Sequence, residues 1–451
     1  MTSKTLQQEQ LSVLEDVISI AKKAGAEHAD ALIVESDSLG VSCRLGEMED
    51  LERSESKDLG LRVLIGKQQA VVSTSDINPT TLAELAQRAV DMARHATEDP
   101  WCGLADASDL TASYPQDLDL FDPTIPSAEG LFDTAKIIED AARSVAGITN
   151  SEGASASWGR SSMALMTSHG FAGSYEASSH SMGISVIAGE GTGMERDYEF
   201  ASARHMEDLD GPEAIGLTAA NNTLRRLNPD NHETCKVPVV FDPRVGSSLL
   251  GHLSGAINGA SVARGTSFLK DAMDSQIFAD GISILDDPLR VRGLRSKAFD
   301  GEGVATRARR VIDQGVLGMW FLDSSTARQL NLPVTGNASR GTSSVPGAAP
   351  TNLYMEAGRQ SVAELIADIE SGFFVTELIG MGVNGVTGDY SRGASGFWIE
   401  NGEIAGAVRG MTIAGNLKEI YLNLTPADDL TFKYGTNVPT LRIEGLTLAG
   451  T

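Results

Sequence analysis

Between Ser155 and Arg204 the chain runs through three strand-like segments, SSMALMTS, SYEASSHSMGISVIAG and RDYEFASA, with glycines at the turns. A second strand-rich run starts at VPVVFDP and continues through QIFADGISIL, ARRVIDQGVLGMWFLD, NLYMEAG, FFVTELIGMGV, GFWIENGEIAGAV and TLRIEGLTLAG. With 47 glycines against 13 Phe, 7 Tyr and 4 Trp, tight turns are frequent, and many strands follow from that. Asn401-Gly402 is a strong hairpin signal, because both residues tolerate the left-handed backbone of a two-residue turn. At 451 residues the chain is too long for one compact core, so two or three domains are expected.

Helices sit between the strands. Leu11, Leu14, Ile18 and Ala21 fall at helical spacing and Gly25 closes the segment. ALIVES and VSCRL read as strands, and LGLRVLIGKQQAVVSTS as a hairpin turning at Gly66-Lys67. Asn78-Pro79 opens a helix through Leu82, Leu85, Ala89 and Met92. Residues 98 to 127 are acidic and loop-like, with Pro100, Pro115, Pro123 and Pro126, and a helix follows from Ser127 to Val145. This order predicts an α+β fold, not alternating βαβ units. The polar segment LRRLNPDNHETCK places a boundary near residue 230. Residues 1–230 then form an N-terminal α+β domain of helices and antiparallel sheet. Residues 231–451 form a strand-rich, sandwich- or barrel-like C-terminal domain, with a short helix over Val362 to Glu370.

Charge narrows the function. Lys plus Arg is 36 and Asp plus Glu 61, a net charge of −25 that repels nucleic-acid phosphates and anionic lipid. Arg307, Arg309 and Arg310 form the best basic patch, three residues in acidic surroundings that read as a solvated face. Cys43, Cys102 and Cys235 are far apart and odd in number, neither a disulfide framework nor a metal knuckle. The start, MTSKTLQQEQ, lacks the basic and apolar regions of a secretory signal, and no apolar run is long enough to span a membrane. A cytoplasmic protein is expected, binding neither nucleic acid nor membrane.

No self-sufficient catalytic set stands out. Of the seven histidines no two lie three to five residues apart, so no helical pair can grip one metal ion. His232-Glu233 resembles the start of a zinc-protease motif, but Lys236 stands where the second histidine belongs. His252 reads as a hydrogen-bonded helix histidine. GMGVNG (Gly380 to Gly385) satisfies the dinucleotide glycine spacing, yet VTGDYSRGASG after it cannot form the helix that receives a pyrophosphate. No G-x-S-x-G elbow is present, and Asp323-Ser324-Ser325 reads as a helix cap.

The most unusual segment is LLGHLSGAINGASVARGTSF, residues 249 to 268, after a helix start at Asp242-Pro243. Gly251, Gly255 and Gly259 recur every fourth residue and so fall on one helical face, beside a row of Leu249, Leu253 and Ile257. Each glycine costs the helix about 1 kcal/mol relative to alanine. A face left this bare is either approached closely or lacks a group that belongs there.

RGTSF (264–268), DGEGVATRARRVIDQGVLGMWFLDSSTARQL (300–330), TGNASRG (335–341) and FWIENGEIAGAVRGMTIAGN (397–416) occur in this order. Together they resemble the TldD/PmbA family, across nearly the whole chain. Members of the TldD branch are similar to zinc metallopeptidases with His-Glu-x-x-x-His before the RGTS block. By that register the two histidines fall at Leu250 and Gly255 and the glutamate at Gly251, and no cysteine follows Cys235 to match that branch's C-terminal ligand. None of the three can ligate zinc or act as general base. The chain thus resembles the PmbA (TldE) branch, with no catalytic and no metal residue of its own and no cofactor in this chain.

The resemblance implies one subunit of a cytoplasmic peptidase acting on unfolded peptides. A TldD-like partner would form a heterodimer with it and supply zinc, glutamate and water. The family is associated with microcin processing, antitoxin degradation and, through an older attribution, DNA gyrase, which so acidic a chain would affect only indirectly. A non-catalytic peptide-binding scaffold, assembled as a homodimer, is the alternative. A stand-alone hydrolase using Asp389, Tyr390, Ser391 and Arg392 is a third reading. Candidates for a peptide cleft are Thr335, Gly336 and Asn337, and Asn384 with Asp389, Tyr390, Ser391 and Arg392, because polar, glycine-rich loops admit a peptide backbone. The bare helix face reads as a vacated metal site turned to packing, with a neighbouring element closing over it.

Overall fold

The computed structural model describes residues 3–111 and 117–450, with side chains from Gln7 onward; Pro115 lies outside the described residues. The first half comprises α1 (Ser3–Ala24), β1 (His28–Arg44), β2 (Glu47–Ile65), β3 (Gln68–Thr74), α2 (Pro79–His95), α3 (Ala128–Arg143), β4 (Ile148–Thr167), β5 (Ala172–Ala188), β6 (Glu195–Ala203) and α4 (Pro212–Arg225). Its strands form one antiparallel sheet in the order β3-β2-β1-β4-β5-β6.

Side-chain alternation along β1 explains the layering. Ala29, Ala31 and Ile33 pack with α1 and α2, and Val41 and Cys43 pack with α3 and α4. All five residues face one side, because successive strand residues point to opposite faces. Leu32 faces the other side and packs with Phe171 and with Phe299 of the second half. The sheet is therefore sandwiched between four helices and the C-terminal half.

β1 is one continuous strand where the sequence reads as two, and β2 begins in the charged run EMEDLERSESK, which carries no strand signal. Pairing supplies what propensity does not. β1 is hydrogen-bonded on both sides along most of its length, and Lys57–Glu35 (2.6 Å) and Arg53–Asp37 (3.6 Å) bridge the exposed part of the β1–β2 ribbon. Met92 is exposed, and α2 buries Leu82, Leu85, Ala86, Ala89, Val90 and Ala93 instead.

The second half comprises β7 (Cys235–Phe241), α5 (Pro243–Ala256), α6 (Gly259–Ala263), β8 (Ile284–Asp286), β9 (Arg309–Asp313), β10 (Val316–Leu317), α7 (Ser324–Leu330), β11 (Ala338–Ser339), β12 (Gly347–Ala348), β13 (Leu353–Met355) and α8 (Val362–Ile366). It ends with β14 (Ser371–Ile379), β15 (Asp389–Glu400), β16 (Glu403–Asn416), α9 (Leu417–Leu422), β17 (Leu424–Pro426), β18 (Thr436–Asn437) and β19 (Leu441–Ala449). Strands β16-β15-β14-β7-β19 pair in sequence, and β16 pairs back onto β19, which closes a five-stranded barrel. The barrel disposes of the edges an open sheet would expose. A second sheet runs β10-β9-β8-β13-β18. Asn401 (φ 51°) and Gly402 (φ 80°) make the β15–β16 turn in the left-handed region, as their sequence indicates. The α+β class and the strand-rich, barrel-containing C-terminal half agree with the sequence.

Candidate functional site

Helix α5 leaves the barrel directly after β7. Asp242 caps it by accepting a hydrogen bond from Arg244 N (3.0 Å), and Pro243 fills the first turn. Gly246, Leu249, Leu250, Leu253 and Ala256 form its buried face, packed into the main C-terminal core. Gly251 and Gly255 lie on the exposed face.

Two expectations fail here. Gly259 does not share the stripe: α5 ends at Ala256, and Asn258 caps the separate helix α6. Gly259 is buried, and a methyl group there would meet Leu322 Cδ2 at 2.6 Å and Thr326 Oγ1 at 2.7 Å. Nor does any element close over the remaining glycines. A methyl group on Gly251 or Gly255 would find nothing within 4 Å, so the face is open. The residues do not fit a metal: Leu250 is fully buried in the core, and Gly251 and Gly255 offer no donor. Among the described residues no group of three or more His, Cys, Asp or Glu could hold a metal ion.

The open face is flanked by residues from five other elements. On its own helix His252 is half-buried, and its Nε2 has no hydrogen-bond partner, contrary to the expectation of a hydrogen-bonded histidine. Burial, and secondly the nearby Arg392 guanidinium, hold its pKa below the ordinary imidazole value. The Tyr390 ring lies edge-on to it at 6.1 Å, with Oη buried and unpartnered; burial pushes this phenol up to about 12.

Beside the helix's first turns lies a cavity of about 320 Å³. Its walls come from β5 (Ser185), β6 (Arg196, Asp197, Tyr198), the end of α4 (Arg226), α5 (Arg244, Ser248), β14 (Thr376, Glu377, Leu378) and β15 (Arg392). Asp197 ties the two halves together: it accepts from Arg244 through both carboxylate oxygens (2.8 and 3.0 Å) and from Arg226 (3.4 Å). Arg226 also pairs with Glu377. Thr376 is the extra residue of a bulge in β14, where the pairing with β15 slips between Val375 and Glu377. Bulges re-aim side chains next to functional sites. A larger cavity of about 580 Å³ lies between Gln7, the 117–121 segment and Ser174 to Glu176, but no unpartnered buried polar atom among the described residues lines it.

The cleft candidates separate into two groups. Thr335 and Asn337 are buried and engaged: Thr335 Oγ1 bridges the backbone of Leu322, and Asn337 Nδ2 donates to Asp286 at 2.8 Å. Gly336 (φ 74°) would bring a methyl group to 2.6 Å from the Ala305 carbonyl. TGN is thus an internal brace and offers no surface to a peptide. Asn384, Asp389 and Ser391 are exposed around the β14–β15 connection, Tyr390 is buried, and Arg392 lines the smaller cavity. Asn384 caps that loop by accepting from Val386 N (2.9 Å), and Asp389 accepts from Thr387 Oγ1 (2.6 Å) and Asn416 Nδ2 (3.1 Å). The end of β14 and the loop after it carry exposed Ile379, Met381 and Val386. Sequence reasoning missed Asp197, Arg226, Arg244 and Thr376; their convergence depends on contacts up to 151 residues apart, with no local spacing to announce it.

A six-stranded sheet with four helices on one face is joined to a barrel whose helix α5 keeps an open flank at the junction, and the candidate site lies on that helix. Profiles of the PmbA/TldA metallopeptidase match domain 1 at residues 29–93, the central domain at 121–227 and the C-terminal domain at 234–450. The chain belongs to this PmbA/TldD family. It is 37% identical to Metalloprotease PmbA of Escherichia coli O157:H7, over 98% of this chain and 97% of that protein. It is 34% identical to the Metalloprotease PmbA homolog of Haemophilus influenzae, over 99% of this chain and 97% of that one. Among solved structures, a candidate modulator of DNA gyrase from Bacteroides thetaiotaomicron superposes with a TM-score of 0.91 at 27% identity, covering 98% of this chain and 99% of that one. TldE from Thermococcus kodakarensis, at 22% identity, shares the fold with a TM-score of 0.86 over 97% of this chain and 100% of its own.

Proposed function

We propose that this chain is the subunit without metal of a two-component cytoplasmic metallopeptidase. A TldD-like partner forms a heterodimer with it and supplies zinc and the catalytic glutamate; the substrates are unfolded peptides, microcin precursors among them. The observation that carries the reading is the α5 face itself. It has a buried leucine and two open glycines at the positions where, by the register counted back from RGTS, the zinc-binding branch would carry its ligands and base. The exposed Ile379, Met381 and Val386 support a partner at this surface, since apolar patches at a surface commonly mark protein interfaces.

Co-expression of the full chain with a TldD-like protein carrying His-Glu-x-x-x-His tests this. The expected result is a stable 1:1 complex that cleaves an unstructured peptide, spares folded proteins and loses activity on chelation. Failure of the two chains to associate, with only self-association of this chain, would favour the peptide-holding homodimer.

A further inference from the structure

The cavity beside α5 has a charge pattern opposite to that of the chain. In a protein of net charge −25, its walls carry four arginines, Arg196, Arg226, Arg244 and Arg392, against two acids, Asp197 and Glu377. Three of the arginines are spoken for: Arg226 and Arg244 by Asp197 and Glu377, and Arg196 by Glu152 at 3.3 Å. Arg392 forms no ion pair among the described residues; only its Nε is engaged, on the Ile379 carbonyl at 3.3 Å. One guanidinium is left over.

A second group is left over in the same walls. Thr376 is 7% exposed, and its buried Oγ1 has no hydrogen-bond partner. A buried hydroxyl without a partner costs about 1–3 kcal/mol and persists where something else satisfies it. The bulge that leaves Thr376 out of the strand pairing gives its side chain a place in the wall between this cavity and a neighbouring one of about 300 Å³.

One unneutralised guanidinium and one unsatisfied hydroxyl match a single carboxylate, which accepts from both. The cavity also sits at one end of the open face. From Ser248 in its wall to Gly255 the helix rises about 10 Å, at about 1.5 Å per residue. That is the span of about three residues of extended peptide. We propose that this cavity binds the C-terminal carboxylate of a short peptide through Arg392 and Thr376, with the preceding residues lying along Gly251 and Gly255. The peptide identity of the ligand rests on the function proposed above; the site rests on the cavity.

The test uses the full chain alone, without partner or metal. An alanine-rich pentapeptide as free acid and as C-terminal amide is titrated calorimetrically against it, followed by inorganic phosphate as competitor. The acid is expected to bind at least tenfold more tightly than the amide. Arg392→Gln and Thr376→Val should each weaken the acid at least tenfold without lowering Tm, while Thr376→Ser retains binding and phosphate does not compete. Equal binding of acid and amide, no binding of either, insensitivity to both substitutions, or displacement by phosphate at the peptide's own concentration would each overturn the assignment. A complex that cleaves peptides without this discrimination removes the pocket and leaves the proposed function standing. Discrimination in a chain that never supports cleavage does the reverse.

Discussion

Gly251, Gly255 and Gly259 look alike in the sequence and are different situations in the fold. The first two sit in a helix interior with open space beyond the Cα. Alanine there restricts the unfolded chain and clashes with nothing. Gly251→Ala and Gly255→Ala should each stabilise the chain by about 0.5–1 kcal/mol in urea unfolding. If the open face receives a partner or peptide closely, the same substitutions lower cleavage by the complex. Gly259→Ala should cost about 1–3 kcal/mol, because Leu322 and Thr326 must move. Spacing alone made the buried row Leu249, Leu253 and Ile257 legible, since a 3.6-residue period fixes which residues share a face. It could not show that the period breaks after Ala256, although Asn258-Gly259 is itself a cap signal. Restoring the motif on this helix, with Leu250→His, Gly251→Glu and Gly255→His together, should not create a zinc site. The first of these changes puts an imidazole in place of a core leucine, a loss of about 2–5 kcal/mol in unfolding free energy, and metal analysis should find no stoichiometric zinc.

At the scale of elements, the junction between β6, α4, α5 and β14 depends on one carboxylate. Asp197 is 4% exposed and holds two arginines from two helices. Asp197→Ala leaves both guanidinia without their shared partner and should cost about 3–5 kcal/mol, whereas Asp197→Asn costs less; chemical unfolding distinguishes them. Helices and hairpins with strong local signals, such as α3 behind its Ser127 cap and the Asn401-Gly402 turn, were readable from short stretches of sequence. The outer ribbon of β1 and β2 was not, because a charged run becomes a strand through its neighbour. The Thr376 bulge was equally hidden: a bulge is a property of two paired strands, and the sequence of one does not record it.

At the scale of the whole molecule, the two halves also meet over a buried ionic cluster. Asp30 and Arg62 of the sheet face Arg340 and Glu302 of the C-terminal half, with Asp300, Asp323 and Lys297 alongside. Burial raises the Glu302 pKa, the Asp300 charge adds to that, and Arg62 only partly offsets it. The sign follows from the protonated form being favoured in the folded state. Its contribution is full below the ordinary glutamate value of about 4.3 and is lost as pH rises through the elevated folded value. Glu302→Gln, whose carbonyl can still accept from Ser324 N, should therefore gain stability relative to the parent as pH rises from about 5 to about 8. Parallel thermal unfolding across that range checks it.

This chain has the fold of a metallopeptidase family, and under the proposed function it holds no metal itself. The most direct measurement is the zinc content of the purified full chain after incubation with excess zinc and desalting, with peptide cleavage assayed on the same sample. The expected result is far less than one zinc per chain and no chelator-sensitive cleavage until a TldD-like partner is added. One tightly bound zinc per chain, with chelator-sensitive cleavage in the absence of any partner, would contradict it.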